Sequence, residues 1–239
     1  MQEVAPGTYR LGSKQHNFYL VAEGGKATVI DAGCSKEIGK LDAALAALNM
    51  ARSDVEVILL THAHADHIGF AAEAADGGTA VKAHVDEAPI ARGEARGHAV
   101  QVGDLPLWRP PVWGFLFALL KAGVRTAPRV KSIETFDDGE RLDIPGHPRV
   151  IHTPGHTPGH AVFYLEGPKT VFTGDGLVTM NVLGGRKGPQ MLPPLFHTDE
   201  DLARRSLVHL ESLDTKYVLP GHGSPWRGQA ADAVRAIPT

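Results

Sequence analysis

Four side chains of the kinds that bind metal ions lie within six residues of this sequence. They are His62, His64, Asp66 and His67, and only Thr61 separates them from the largely apolar run at 55–60. Imidazole nitrogens and carboxylate oxygens are the ligands that zinc and similar divalent ions take in proteins. A loop at the end of a buried strand can turn such groups towards one point. The segment therefore predicts a metal site, since a solvated histidine-rich turn has no reason to follow a core strand.

Three further segments place ligand-type side chains next to strand-like runs. Segment 152–160 spaces three histidines by four residues, and its two Pro-Gly pairs exclude a helix, so these histidines lie on a loop. Asp175 follows the run at 170–172 within Thr-Gly-Asp, and His222 follows the run at 216–219 within Gly-His-Gly. Converging strand ends assemble a polar site at the edge of a core. We therefore expect these segments to meet the first one.

The elements that must position these residues are mostly short strands. Alternation and turn chemistry predict strands at 7–11, 17–22, 27–30, 55–60, 79–83, 149–152, 161–165, 170–172 and 216–219. Apolar spacing predicts helices at about 35–48, 68–75 and 199–213, the last with Thr198 as its N-cap. From about Pro89 to Lys131 the pattern is irregular. This arrangement predicts two packed sheets with helices outside.

The combination of segments resembles the metallo-β-lactamase superfamily, in the family's order and over nearly the whole chain. The run Ile-Asp-Ala-Gly at 30–33 adds to the resemblance. It implies an α+β fold, a four-layer αββα sandwich of two mixed β-sheets flanked by helices, over a single domain at 1–239. It also implies two divalent metal ions, zinc in the first place, with iron or manganese as alternatives. One ion would be held by His62, His64 and His156, the other by Asp66, His67 and His222, and Asp175 would bridge them.

The resemblance implies a hydrolase in which a metal-bridging hydroxide attacks a small ester, thioester or lactone. A water between two cations loses its proton near neutral pH, and Asp66 is expected to act as the catalytic residue that moves protons. A mononuclear iron persulfide dioxygenase and a phosphodiesterase remain alternatives. The presence of both His67 and Asp175 disfavours the β-lactamase branches of the family. Asp31 is expected to support a ligand loop, and His152 and His160 to do the same or to be merely structural.

Composition and charge limit the partners. The chain has 239 residues, 43% hydrophobic and 21% charged, with a formal charge of −3. This profile favours a small-molecule substrate and disfavours nucleic acid or a membrane. The longest apolar run is shorter than the roughly 20 residues of a membrane span. The single cysteine, Cys34, is expected to be an inert thiol, and the lack of a secretory signal at the start favours a cytoplasmic protein. A homodimer is left open.

An apolar insertion at about 89–131 lies between the first and second groups of ligands. Its segment 108–117 is rich in aromatic residues, although the chain is only 6% aromatic. We predict that residues 108–120 close over the metal site and set substrate size. A helical insertion packed on the core and a subunit interface are the alternatives. A second long loop, 181–196 with Arg186 and Lys187, is a candidate for the opposite wall and would attract an anionic substrate.

Overall fold

A computed structural model of the protein describes residues 1–13, 15–124 and 127–238. Within these ranges the strands are β1 Gln2–Ala5, β2 Thr8–Gly12, β3 Asn17–Glu23, β4 Lys26–Ile30, β5 Val55–Leu59, β6 Ala80–His84, β7 Glu134–Phe136, β8 Arg149–His152, β9 Ala161–Leu165, β10 Thr170–Gly174, β11 Val178–Met180, β12 Lys187–Gln190, β13 Tyr217–Pro220 and β14 Trp226–Arg227. The α-helices are α1 Ile38–Ala47, α2 Ala71–Asp76, α3 Ala88–Arg92, α4 Pro110–Ala122, α5 Glu200–Ser206, α6 Val208–Glu211 and α7 Ala230–Arg235.

The strands form two mixed sheets and one hairpin. The first sheet has the order β1-β2-β3-β4-β5-β6-β7, with an antiparallel meander up to β4 and parallel pairing from β4 to β7. The second has the order β14-β13-β10-β9-β8, in which only β10 and β13 pair in parallel. The strands β11 and β12 form a separate antiparallel hairpin. Parallel pairing brings the carboxyl ends of β4, β5 and β6 to the same edge of the first sheet.

Hydrophobic burial holds the sheets together in four layers. Successive residues of β3 point to opposite faces, as strand geometry requires. Phe18 and Leu20 pack towards the layer of α1 and α2, whereas Tyr19 and Val21 pack between the two sheets, where they join Phe163 and other residues of the second sheet. A third cluster packs the outer face of the second sheet against α5, α6 and α7. The predicted αββα sandwich is confirmed.

Two details of the predicted helix at 199–213 are wrong. The N-cap is Asp199, whose side chain accepts a hydrogen bond from the backbone N–H of Leu202 at 2.8 Å. Thr198 instead donates its hydroxyl to the carbonyl of His156 at 3.1 Å. The helix is also divided into α5 and α6, because the Leu207 N–H bonds to the carbonyl of Arg204, three residues back, and tightens the chain there.

The irregular stretch at 89–131 contains a long helix that the apolar pattern did not place. Helix α4 begins with Pro110 and Pro111, whose fixed φ suits the first turn, and ends at Gly123, which adopts a left-handed conformation at φ 92°. Its buried side packs on the β11–β12 hairpin region through Val112 and Phe115. The single-domain prediction for 1–239 stays a prediction, and Arg125 and Thr126 of the insertion lie outside the described residues. In the described ranges, no helix combines the length and apolar character needed to span a bilayer.

Candidate metal centre

The structure brings the seven predicted ligand residues together in two adjacent groups. In the first, ligand-type atoms of His62, His64, His156 and Asp175 lie within 4.8 Å of one another. The second group consists of Asp66, His67 and His222, and meets the same distance criterion. Asp175 joins the groups, because its carboxylate lies 3.4 Å from His67 Nε2 and 3.2 Å from His222 Nε2. The seven residues are thus grouped as predicted, with Asp175 between the two groups. Metal binding itself stays a prediction.

Asp31 orients two of these histidines from behind. Asp31 follows the end of β4, its backbone lies in the left-handed region with φ 61°, and its carboxylate is buried. Asp31 Oδ2 accepts from His67 Nδ1 at 2.8 Å, so Nε2 is the nitrogen of that ring that faces the site. The Thr61 hydroxyl donates to Asp31 at 2.9 Å and accepts from His62 Nδ1 at 3.0 Å, so His62 Nε2 also offers a lone pair. The expected support by Asp31 is therefore present.

Backbone carbonyls orient two further histidines. His64 Nε2 donates to the carbonyl of His98, which belongs to the insertion, at 3.0 Å, and this leaves Nδ1 facing the site. His222 Nδ1 donates to the carbonyl of Gln15, on the loop between β2 and β3, and this leaves Nε2 facing the site. Four imidazoles thus have a proton held on the outer nitrogen, and the other nitrogen of each ring faces the site. A ring held in this tautomer is prepared to bind a cation rather than to donate a hydrogen bond inward.

Glu87 connects the two loops that carry the first group. One carboxylate oxygen accepts from the backbone N–H of Ala63 at 2.8 Å. The other accepts from the Thr157 hydroxyl at 2.7 Å and from the Gly159 N–H at 3.0 Å. Glu87 is fully buried, and burial raises the pKa of its carboxyl despite these three hydrogen bonds. This single side chain therefore sets the distance between the His62–His64 loop and the His156 loop.

His160 supports the loop of the shared carboxylate. Its Nε2 accepts from the backbone N–H groups of Asp175 and Gly176, both at 3.2 Å, so Nδ1 carries the proton and donates to the Thr153 hydroxyl at 2.8 Å. Burial lowers the pKa of His160 to about 3, which keeps the ring neutral. Gly174 lets the two segments approach, since a Cβ there would lie 2.7 Å from the Thr61 hydroxyl oxygen and 2.8 Å from His160 Nε2.

The donor set fits two divalent cations. A tetrahedral zinc ion with Zn–N bonds of about 2.0–2.1 Å holds its ligand atoms roughly 3.3–3.4 Å apart. His156 Nε2 lies 3.2 Å from His62 Nε2 and 3.0 Å from His64 Nδ1, although the fixed tautomers leave no inward proton on the last two rings. His67 Nε2 of the second group and the nearby Asp175 Oδ1 are buried without a hydrogen-bond partner among the described residues. Such convergent, unpartnered atoms are what a cation would satisfy.

The charges of the site also favour cations. Burial disfavours the ionised form of Asp175, but His222 and His67 outweigh it and hold the pKa of this carboxyl well below its usual range. Burial likewise opposes the charged form of His67, yet Asp175 and Asp31 raise the pKa of this ring to about 10. In the first group, burial and neighbouring histidines lower the pKa of His62. Carboxylates together with imidazoles form a donor set suited to zinc, iron or manganese.

Comparison with known proteins agrees with this geometry. The sequence profile of the metallo-beta-lactamase superfamily matches residues 11–222. The chain belongs to the metallo-β-lactamase superfamily. It is 26% identical to the "probable metallo-hydrolase YflN" of Bacillus subtilis, over 95% of this chain and 88% of that protein. It is 30% identical to the "probable metallo-hydrolase YqjP" of the same organism, over 87% of this chain and 66% of that protein.

A solved structure shares the fold closely. The metallo-beta-lactamase family protein TTHA1429 from Thermus thermophilus matches with a TM-score of 0.67 and 26% identity, over 98% of this chain and 78% of that chain. The match spans both sheets and the four loops that carry the candidate ligands. Membership of the metallo-β-lactamase superfamily therefore accounts for the layer order and for the edge of the sandwich at which the site lies.

Several other polar residues, His152 and Arg186 of the sequence analysis among them, lie outside the two metal groups. His84 and His152 stack at 3.9 Å between ring centroids beside Glu87, and His152 Nε2 donates to the Pro158 carbonyl at 2.9 Å, which supports the His156 loop. His197 is buried against the ring of His156, with centroids 5.3 Å apart. Arg186 donates to the carbonyl of Ala236 at 2.9 Å, at the end of α7. This contact directs its guanidinium to the C-terminal helix, so the expected attraction of an anionic substrate has no support from Arg186.

Sequence reasoning missed Glu87, Thr61 and His98. Glu87 carries no motif of its own, and only its position three residues after the strand-ending His84 was available as a signal. Thr61 precedes His62 directly, so a hydroxyl within reach of a ligand ring could have been anticipated. His98 acts through its backbone carbonyl, which any residue type supplies, and no side-chain pattern could have indicated it.

Proposed function

We propose that the protein is a dinuclear metal-dependent hydrolase that acts on a small carboxylic ester, thioester or lactone. The observation that carries the proposal is the convergence of seven buried or half-buried donor side chains, with Asp175 between two groups that can each hold one ion. The names of the two Bacillus relatives as probable metallo-hydrolases support the reaction class. When bound, two divalent ions would supply a deprotonated water near neutral pH and polarise the substrate carbonyl.

Asp66 is the residue that we assign to proton transfer. Its side chain is 16% exposed, compared with 4% for Asp175, so it is the carboxylate of the site that solvent and substrate reach. Burial opposes ionisation of Asp66, but His67 and His222 outweigh it and lower the pKa of this carboxyl. An ionised, accessible carboxylate 3.6 Å from His222 can accept a proton from the attacking water and return it to the leaving oxygen or sulfur.

The fixed tautomers supply the rest of the preorganisation. Because Asp31 and the carbonyls of Gln15 and His98 hold the outer ring protons, the inner lone pairs need no reorientation when substrate arrives. Groups that are already oriented towards developing charge have no reorganisation cost during the reaction. The arrangement suits a single hydrolytic step at a small polar centre.

The test is metal analysis of the purified protein combined with a substrate panel. The panel contains a short-chain p-nitrophenyl ester, an acyl thioester, a lactone, a β-lactam, a phosphodiester and glutathione persulfide. The proposal predicts two ions per chain and turnover of at least one of the first three compounds. One iron per chain with oxygen consumption on the persulfide would establish the dioxygenase alternative. Turnover of the phosphodiester alone would establish the phosphodiesterase.

A further inference from the structure

Helix α4 exposes an apolar face that nothing among the described residues covers. Trp113, Phe117 and Leu120 follow one another at helical spacing and are 58%, 68% and 60% exposed. Trp108, just before the helix, is 84% exposed. The opposite side is anchored by the buried Val112 and Phe115. Large apolar side chains gathered on one exposed face indicate a contact surface rather than chance exposure.

The charge of the chain is divided between this insertion and the rest. Segment 89–131 has seven basic residues, and its only acidic residues are Glu94 and Asp104, which gives a net charge of +5. The remaining residues have 17 basic and 25 acidic side chains, a net charge of −8. The overall charge of −3 conceals this division. The apolar face therefore lies on the positively charged part of an otherwise acidic protein.

Basic side chains lie at both ends of the helix. Arg109 precedes the first turn and is half-buried, with its guanidinium donating to the carbonyl of Gly184 at 3.3 Å, whereas Lys121 follows Leu120 and is exposed. Lys36 lies beside the end of the helix, where its backbone N–H bonds to the carbonyl of Ala122 at 3.1 Å. Lys121 and Lys36 are exposed, and neither has a carboxylate within 4.0 Å in the described part of the chain. Tryptophan, phenylalanine and leucine flanked by lysine and arginine are typical of helices that lie in a membrane interface.

A second copy of the chain fits this face less well. A two-fold dimer places the same surface against itself, so two segments of charge +5 would meet. Juxtaposed like charges oppose association. Anionic lipid headgroups, in contrast, attract each basic residue near the surface and leave the apolar side chains to enter the interface between headgroups and acyl chains.

We propose that the exposed face of α4, formed by Trp108, Trp113, Phe117 and Leu120, docks this protein on an anionic lipid surface. The proposal concerns peripheral contact, and it departs from our expectation that the chain has no membrane partner. That expectation relied on overall charge, which averages two oppositely charged regions. The docking does not depend on the proposed reaction, because the four side chains are exposed and none of them belongs to the two groups of candidate ligands.

The test is co-sedimentation of the metal-loaded, full-length protein with two kinds of vesicle. One contains phosphatidylcholine with phosphatidylglycerol, the other phosphatidylcholine alone. We expect binding to the first, with a blue shift of tryptophan fluorescence, and binding at least about tenfold weaker to the second. The double variant Trp113→Ala with Phe117→Ala should bind the anionic vesicles at least about tenfold more weakly, and Lys121→Glu should bind more weakly than the unchanged protein.

Two matched controls separate docking from general surface effects. Val208→Ala removes an apolar side chain of α6 that is 59% exposed, and Lys216→Glu reverses an exposed charge just before β13. Both should bind as the unchanged protein does. The proposal is overturned if binding is independent of lipid charge or absent. It is equally overturned if the double variant binds the anionic vesicles normally. Dissociation of a dimer by that variant would then indicate a subunit interface, and a raised KM for bulky soluble substrates would indicate a lid.

Discussion

Two buried clusters of this protein contain the same kinds of metal-binding side chain, yet only one of them leaves donor atoms without a protein partner among the described residues. The second cluster consists of His16, Cys34 and Glu37, and it meets the same distance criterion as the metal centre. Its polar atoms are satisfied internally, because Glu37 accepts from the Cys34 N–H at 3.0 Å and also binds both His16 and Lys40. The ammonium of Lys40 already supplies a positive charge there.

The difference shows that residue type and proximity do not suffice to identify a metal site. In the metal centre, supporting groups hold the outer ring protons and leave the inner atoms of His67 and Asp175 without partners among the described residues. In the second cluster the partners are all present, and burial raises the pKa of the Cys34 thiol, which keeps it protonated and disfavours metal binding. The cluster therefore acts as a structural network, in agreement with the expectation of an inert thiol.

The largest effect should follow from removal of the shared carboxylate. Asp175→Ala takes a ligand from both groups, so we expect loss of both ions and of measurable turnover, with circular dichroism that still reports the folded chain. Metal analysis and activity assays check this. The matched control is Asp143→Ala, which removes a carboxylate that is 100% exposed and should change neither quantity. Near-normal metal content in Asp175→Ala would show that the two groups do not share this residue.

A smaller but still large effect is expected at Asp66. Asp66→Asn keeps the size and one oxygen donor and removes the charge and basicity, so kcat should fall on the order of 10²-fold or more at full metal occupancy. Steady-state kinetics at saturating metal make the measurement. An unchanged kcat with both ions bound would restrict Asp66 to the role of a ligand.

A substitution at Glu87 tests whether this side chain, which lies outside the metal groups, holds the His62–His64 loop and the His156 loop in place. Glu87→Gln keeps one acceptor oxygen but replaces the other by an amide that cannot accept from Thr157 and Gly159. We expect metal affinity to fall about 10- to 100-fold, as is usual for residues that orient ligands, while kcat at saturating metal stays within a few-fold. Competition with a chelator measures the affinity. Glu94→Gln, at an exposed carboxylate paired with Arg92, is the control that should show no change.

The smallest effect on the metal centre is expected from a substitution in the second cluster, at Glu37. Burial opposes ionisation of Glu37, but His16, Lys40 and the Cys34 N–H outweigh it and lower the pKa of Glu37 from 4.5 to about 2. A lowered pKa in the folded state contributes stability above about pH 4.5 that is lost as the pH falls towards about 2. Glu37→Gln should therefore lower the free energy of unfolding by about 1–3 kcal/mol near neutral pH.

The pH dependence of the stability of Glu37→Gln shows whether the ionised form of Glu37 stabilises the fold. The stability difference between the unchanged protein and Glu37→Gln should be constant above about pH 5 and shrink as the pH falls below about 4.5. Denaturant unfolding at a series of pH values measures it, and metal content at neutral pH should remain unchanged. A difference that grows on acidification, or a loss of ions at neutral pH, contradicts the structural role.

Most of the layer structure was predictable because it depends on patterns that the chain repeats locally. Strands such as β3 and β9 are continuous apolar runs, and their burial on both faces follows from that pattern. Short edge elements were missed, including β7 and β14, since two or three residues carry no periodicity and pair only because a neighbouring strand is present. Helix α4 was predicted only as an alternative and without bounds, because its apolar residues surround the helix rather than follow one side.

The convergence of the seven candidate ligand residues was predictable, and the groups that orient them were predictable only in part. His62, His64 and His67 are indicated by their spacing, and each further ligand by the strand that precedes it. Asp31 was anticipated because the run at 30–33 resembles the family. Glu87 and the carbonyls of Gln15 and His98 reach the site through tertiary contacts over long separations in sequence, which no local pattern encodes.

A titration of the metal-free protein with zinc, monitored by calorimetry and completed by metal analysis, tests the distinction between the two clusters most directly. We expect two ions per chain, and the same number for Cys34→Ser, because the His16–Cys34–Glu37 cluster should take none. Binding of a third ion that Cys34→Ser abolishes would contradict the distinction between the two clusters. Binding of a single ion, with an affinity that does not change when any one of the seven residues is substituted, would contradict the shared site itself.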